Sequence, residues 1–384
     1  MKTKKIYYWS PFIDRVATIK AVCNSAQSIN KYSSNNLKAE IIDVFGEWQQ
    51  SSINLEKINF YKLNFIPFLF KFSSYGFFKS RLKYIIIFLF CFFPLKRFLK
   101  KKKPEFLIIH LITSLPIFLN LIFNFDTKLI LRISGKPKLN FFRRCFWKIG
   151  LKKIYKITCP TIETLNYLKE MNLTDNEKYT LLYDPVINMR EYRKVKIQNY
   201  KKDKIELKDY YLAIGRLVKQ KNFEFLIKCF QEIKIIDPNI KLLILGEGEE
   251  KEKLNKLILK FNLEMNIFLK GYQENVYEYL YNCKAFILSS LWEDPGFVVI
   301  EAMLANTLVL SSDCSSGPKE IIGKSRGFLF NNNSKKSFIE KFKHLNSIDG
   351  EQKKYFLINS KNFIKRFSSF SHYKNFSRLL LNNE

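Results

Sequence analysis

At 384 residues and 47% hydrophobic, the chain is too long for one ordinary core and apolar enough to fill two. Its formal net charge of +30 is concentrated: residues 51–150 hold 19 Lys/Arg against 3 Asp/Glu, so one face of the N-terminal half should carry a positive field. Such a field suits nucleic acid, an anionic membrane surface or a phosphorylated substrate, while scarce glycine and the lack of Ser/Pro-rich tracts leave little room for disorder.

The chain opens Met1-Lys2-Thr3-Lys4-Lys5, and the apolar run 6–9 that follows is too short and aromatic for a secretory leader. It reads as a first strand. Further strands are expected at 39–45, 106–110, 128–133 and 154–159, with helices near 15–32, 73–99, 111–123 and 137–152. Strands alternating with helices argue for a parallel sheet covered on both faces. The stretch 84–93 is the most membrane-like, yet its ten residues fall short of the roughly 20 needed to span a bilayer. It is suited to lying in an interface, with Lys96, Arg97 and Lys100 to Lys103 directly after it.

Tyr183-Asp184-Pro185 breaks the alternation, and the charged, weakly apolar stretch 187–208 reads as an interdomain linker. Beyond it come a strand at 210–214, a helix at 222–236 with an apolar stripe at Phe223, Leu226, Ile227 and Phe230, and a strand at 240–245. A charged helix at 249–261 and strands at 266–269, 285–288 and 308–311 complete a second doubly wound domain. The fold class expected is α/β, two doubly wound parallel-sheet, Rossmann-like domains facing a cleft: 1–186, then the linker, then 209–360. A terminal helix within 361–384 is expected to pack back on the first domain. The seven cysteines (Cys23, Cys91, Cys145, Cys159, Cys229, Cys283 and Cys314) show no metal-ligand spacing and mostly sit in apolar runs, the pattern of reduced, buried thiols in a cytosolic protein.

Ligands of such sheets bind at the carboxyl ends of the strands, so the loops there carry the chemistry. Gly215-Arg216-Leu217-Val218-Lys219-Gln220-Lys221 follows strand 210–214, and its cations are placed to bind a diphosphate. Leu245-Gly246-Glu247-Gly248 ends another strand, where glycine permits close approach of the backbone. The densest group is Ser289-Ser290-Leu291-Trp292-Glu293-Asp294-Pro295-Gly296-Phe297, leading into a helix that contains Glu301. A carboxylate between Ile300, Ala302 and Met303 is costly unless something pairs with it, and adjacent hydroxyls of a ribose or sugar are suitable donors. The helix N-terminus near Gly296 and Phe297 would meanwhile face phosphates.

In this order and near these separations, Gly-Arg-Leu-x-x-x-Lys, Gly-Glu-Gly, and two glutamates eight positions apart resemble the retaining glycosyltransferase family 4, whose fold is termed GT-B. The segment Ser312-Asp313-Cys314-Ser315-Ser316-Gly317-Pro318-Lys319-Glu320-Ile321 is similar to that of bacterial members that build O-antigens, capsules and lipid-linked glycans. The likeness is specific over 211–330 and diffuse elsewhere. It implies that Arg216 and Lys221 bind the donor diphosphate, that Glu293 lies beside the donor sugar and that Glu301 holds the ribose. Gly215, Gly246, Gly296 and Phe297 would line the same site. His110, ending the apolar run 106–109, would stand near the donor sugar in the acceptor-side N-terminal domain.

The reaction implied is metal-independent transfer, without cofactor, from a nucleotide sugar to a lipid-linked saccharide. A UDP-linked hexose or N-acetylhexosamine leads, with GDP-mannose next. Domain closure would align the acceptor, and the protein would work in the cytoplasm, peripheral on the inner face of the membrane. One departure stands out: the loop from Ser10 to Thr18 lacks the Gly-Gly that family members often carry. Two other readings are a basic nucleic-acid-binding protein, against which no recognition-module signature is found, and a GT-B epimerase or phosphorylase.

Overall fold

The computed structural model describes residues 3–12, 17–34, 36–50, 58–64, 66, 77–189, 192 and 209–381. Of the expected linker, only 187–189 and 192 fall within them, and 13–16 of the first loop lie outside. The chain divides into two compact units, Met1–Val186 with Ser369–Glu384, and Ile187–Ser368.

The first unit is built on seven parallel strands: β1 (Lys4–Trp9), β2 (Leu37–Asp43), β3 (Asn59–Lys62), β4 (Phe106–Ile109), β5 (Lys128–Arg132), β6 (Lys156–Cys159) and β7 (Tyr179–Leu181). They are ordered β3-β2-β1-β4-β5-β6-β7. Side chains alternate across a strand, so each strand feeds two cores. Tyr7, Trp9, Leu107 and Ile109 enter one, beneath the helices Phe77–Lys102, Ser114–Ile122 and Phe141–Gly150. Ile6, Tyr8, Phe106 and Ile108 enter the other, with residues of Ala17–Tyr32 and of the last helix, Ser369–Leu381. Burial on both faces is why these strands read as nearly unbroken apolar runs.

The second unit has six parallel strands: β8 (Tyr210–Ile214), β9 (Lys241–Leu245), β10 (Ile267–Gly271), β11 (Phe286–Leu288), β12 (Val309–Ser312) and β13 (Phe328–Phe330), ordered β10-β9-β8-β11-β12-β13. Counted within each unit, both sheets follow the Rossmann order 3-2-1-4-5-6, the first with one strand added. Connections leave to opposite sides at β1/β4 and at β8/β11, and at such switch points the loops part to leave a crevice.

Two boundaries differ from the sequence reading. The helix expected near 73–99 runs from Phe77 through Pro94 to Lys102. Proline removes one helical N–H, and the Phe90 carbonyl, four residues before it, accepts from Asn64 Nδ2 at 3.4 Å instead. The division expected at 361 moves to 369, because Gly350–Ile364 is one helix and the residues after it are tied to the second unit. Ser360 donates to the Arg326 carbonyl, Arg326 and Arg366 both stack on Phe363, and Ile187 N–H bonds the Phe367 carbonyl. Only then does the chain join the first unit, where His372 bonds Ser25 and Tyr183.

Candidate active site

In the second unit the loops after β8 and β11, the two strands at the switch point, are bound to each other. Leu291 N–H donates to the Gln220 carbonyl, Gln220 Nε2 to the Trp292 carbonyl, and Ser289 Oγ to the Lys221 carbonyl, each at 2.8 Å. That stitching fixes Lys221 against Glu293. Lys221 Nζ donates to Glu293 Oε1, which also accepts from Ser290 Oγ at 2.6 Å; Glu293 is buried and the Lys221 side chain only 13% exposed. Ser290 is held in turn, its carbonyl accepting from Ser312 Oγ at 2.6 Å. An ion pair taken out of water stands only when such additional bonds complete it. Arg216, in the same loop as Lys221, is exposed and forms no ion pair among the described residues.

The glycines of these loops meet backbone. A Cβ on Gly246, at φ +144°, would lie 1.9 Å from the Gly215 carbonyl oxygen, and one on Gly248 would lie 2.3 Å from that of Leu217. Loop 246–248 is thus laid directly on loop 215–217, closed by Gly215 N–H to Leu245 and Leu217 N–H to Glu247. The Gly-Glu-Gly signal has this packing as one structural reason, beside the close approach of backbone expected from the sequence.

Gly296 takes φ +86° as it caps the helix Phe297–Leu304, whose start faces the same loops: its Cβ position lies 3.6 Å from Glu293 Cβ and 3.6 Å from Pro318 Cγ. Phe297 is half-buried, and Glu301, one turn on, is 8% exposed. The end of the second sheet therefore combines an exposed guanidinium, a largely buried Lys–Glu pair, a helix N-terminus and a buried carboxylate. Cations and helix amides suit phosphate, and the carboxylate suits hydroxyl donors.

His110 belongs to the first unit. It follows β4, beside Ser10 after β1, and its N–H bonds the Trp9 carbonyl at 2.9 Å. Both sit at that unit's own switch point. His110 Nδ1 and Ser10 Oγ are buried and have no hydrogen-bond partner among the described residues. Burial holds His110 well below the usual imidazole pKa, with Arg132 and His372 adding to the effect, so its ring is neutral near pH 7.

Three features escaped the sequence reading. Ser290 lay inside the quoted motif without a role. Arg132, at the end of β5, forms a buried two-point ion pair with Asp184, Nε to Oδ1 at 2.8 Å, and also donates to Ser134. Asp184 had been read only as part of a break in the pattern. Ser10 had been noted only as the start of a loop without glycine.

Residues 195–380 match the family Glycosyl transferases group 1. An uncharacterized glycosyltransferase of Methanocaldococcus jannaschii is 32% identical over 249 residues, which span 60% of this chain and 61% of that protein. The N-acetylgalactosamine-N,N'-diacetylbacillosaminyl-diphospho-undecaprenol 4-alpha-N-acetylgalactosaminyltransferase of Campylobacter jejuni is 28% identical over 242 residues, 61% of this chain and 64% of that one. The chain thus matches about three fifths of the length of these two relatives. Among solved structures, Anabaena HepE in complex with UDP superposes with a TM-score of 0.72 over 99% of this chain and 100% of its own, at 13% identity. The fold is that of GT-B glycosyltransferases, with two Rossmann-like domains.

Proposed function

We propose that the protein is a retaining glycosyltransferase that moves a sugar from a nucleotide donor to a lipid-linked saccharide in surface polysaccharide synthesis. The observation that carries this reading is the set Arg216, Lys221, Glu293 and Glu301 around the switch point of the second sheet, inside the stretch that matches the glycosyltransferase family. UDP in the HepE complex and the undecaprenyl-linked substrate named for the Campylobacter relative support a UDP-sugar donor and a lipid-linked acceptor.

In the reaction the bond from the anomeric carbon to the diphosphate oxygen breaks, and the acceptor hydroxyl oxygen bonds that carbon on the same face, its proton passing to the departing diphosphate. Negative charge grows on the departing diphosphate. Arg216, Lys221 and the amides at Phe297 are the groups suited to balance it, with no divalent ion required. For Lys221 this means exchanging part of its bond to Glu293 for phosphate, which frees that carboxylate towards the sugar. Glu301 accepts from the ribose hydroxyls. In the first unit, Ser10 and His110, without hydrogen-bond partners for these atoms among the described residues, offer polar atoms for hydroxyls of the acceptor.

A thermal-shift panel of UDP- and GDP-sugars, followed by transfer to extracted lipid-linked glycan, tests the proposal. One donor should stabilise the protein in EDTA, release nucleoside diphosphate only when acceptor is added, and yield a product whose anomeric configuration matches the donor. Turnover lost in EDTA and restored by manganese would overturn the metal-free chemistry. Epimerised donor without transfer would favour an epimerase, and salt-sensitive RNA binding in place of donor binding would favour the nucleic-acid reading.

A further inference from the structure

The first unit carries a surface that glycosyl transfer itself does not use. Helices Phe77–Lys102, Ser114–Ile122 and Phe141–Gly150 cover one face of its sheet, and their inward residues, from Ile87, Cys91 and Leu95 to Trp147, fill that core. On the first helix the opposite side is also apolar. Leu82, Ile85, Leu89 and Phe93 recur at helical spacing along one outward stripe, and Lys96 and Lys100 continue it. Leu89 is 63% and Phe93 71% exposed. Lys96 and Lys100 lie over the ring of Phe123, at 3.9 and 5.6 Å, which joins the stripe to the end of the second helix, where Ile122 is exposed. The third helix adds Phe141 and Phe142, 75% and 80% exposed, and Ile149, among Arg143, Arg144 and Lys148.

None of the three helices contains an Asp or Glu, and the turn Leu151–Lys153 that follows adds two more lysines. Large exposed apolar side chains in rows mark an interaction surface. Their interleaving with cations, on helices that contain no acidic residue, specifies its chemistry: the partner must bury hydrocarbon and present anions together. We infer that this three-helix face docks on an anionic lipid bilayer, the apolar rows entering the headgroup boundary and the cations meeting the lipid phosphates. A nucleic acid would satisfy the cations but leave Leu89, Phe93 and Phe142 in water. A second copy of the chain would cover the apolar rows but set like charges against one another. No helix among the described residues is long and apolar enough to cross a membrane, so contact is from the side. The inference rests on the proposed lipid-linked acceptor only for its purpose.

Flotation of the full chain with phosphatidylcholine vesicles, with and without phosphatidylglycerol, tests it. Binding should require phosphatidylglycerol and weaken as salt rises. Lys100→Gln, Lys101→Gln and Lys102→Gln should each lower partitioning about fivefold. Phe93→Ser with Phe142→Ser should lower it at least as much. All these side chains are exposed, and an unchanged melting temperature will verify that the variants fold. Equal recovery with both vesicle types, no flotation, or wild-type partitioning of both variant sets would overturn the inference. So would a concentration-dependent dimer abolished by Phe93→Ser with Phe142→Ser, which would assign the face to self-association. Stabilisation by a sugar nucleotide, measured on the same preparations, should be unaffected. A protein that binds donor but does not float refutes docking alone, and one that floats but binds no donor refutes the transfer reading alone.

Discussion

Arg216 and Lys221 stand in one loop and are assigned to one diphosphate, yet they differ in what else they hold. Arg216 has no ion-pair partner among the described residues, so Arg216→Ala should leave stability within about 0.5 kcal/mol of wild type while slowing transfer sharply. Lys221→Ala removes one member of a largely buried pair and leaves the Glu293 carboxylate, among the described residues, with Ser290 Oγ. A loss of about 3 kcal/mol is expected in addition to the loss of turnover. Chemical denaturation of both variants beside their kinetics will separate the two effects, and equal stabilities would remove the ion pair from the fold's support. Two buried histidines give a second handle. Burial lowers the pKa of both His110 and His372, so on acidification the unfolded chain takes up these protons first. Stability contributed this way is complete above about pH 6.5 and is lost as pH falls below it. His372→Gln should make the decline in melting temperature between about pH 7.5 and pH 5 shallower, and an unchanged slope would exclude His372 as a source. Glu301 was legible in the sequence because a carboxylate among Ile300, Ala302 and Met303 is anomalous on its own helix. Arg132 and Asp184 were not, because 52 positions separate them and neither is anomalous alone.

Between elements, glycine decides how closely loops pack. Gly246→Ala would drive a Cβ into the Gly215 carbonyl at a positive φ, so it should cost at least about 2 kcal/mol and displace Arg216's loop. Gly350 begins a helix with open space around its Cβ position, and Gly350→Ala should be neutral or stabilise by up to about 1 kcal/mol. Parallel melts of the two variants check this, and similar destabilisation by both would refute the packing explanation. The central strands were legible because burial on both faces makes them continuous apolar runs. β3, β7 and β13 were not, since they are edge strands of three or four residues, too short to display a period. The helix through Pro94 was legible, and a proline's local tendency to end a helix is overridden there because another side chain takes up the freed carbonyl.

For the whole molecule, the chain's last helix is part of the first unit, so that unit's stability depends on both ends of the sequence. Ending the chain at Ser368 removes Phe376 and Leu380 from the core beneath Ala17–Tyr32 and strips His372 from Ser25. Calorimetry should then show the transition of the first unit lowered and that of the second unchanged, and loss of both together would contradict the division. Two doubly wound units could be read from the alternation of strands and helices, because that period is local. The last helix was expected to pack back on the first domain and clusters with that unit, but its start at Ser369 could not be read, because it depends on contacts between residues hundreds of positions apart. The donor site is tested most directly by calorimetric titration of UDP, with GDP alongside, into wild type and Glu301→Ala in the presence of EDTA. One nucleotide should bind wild type in a one-to-one complex and bind the folded variant at least about tenfold more weakly. Binding of neither nucleotide, or equal affinity for the variant, would contradict a donor site at the end of the second sheet.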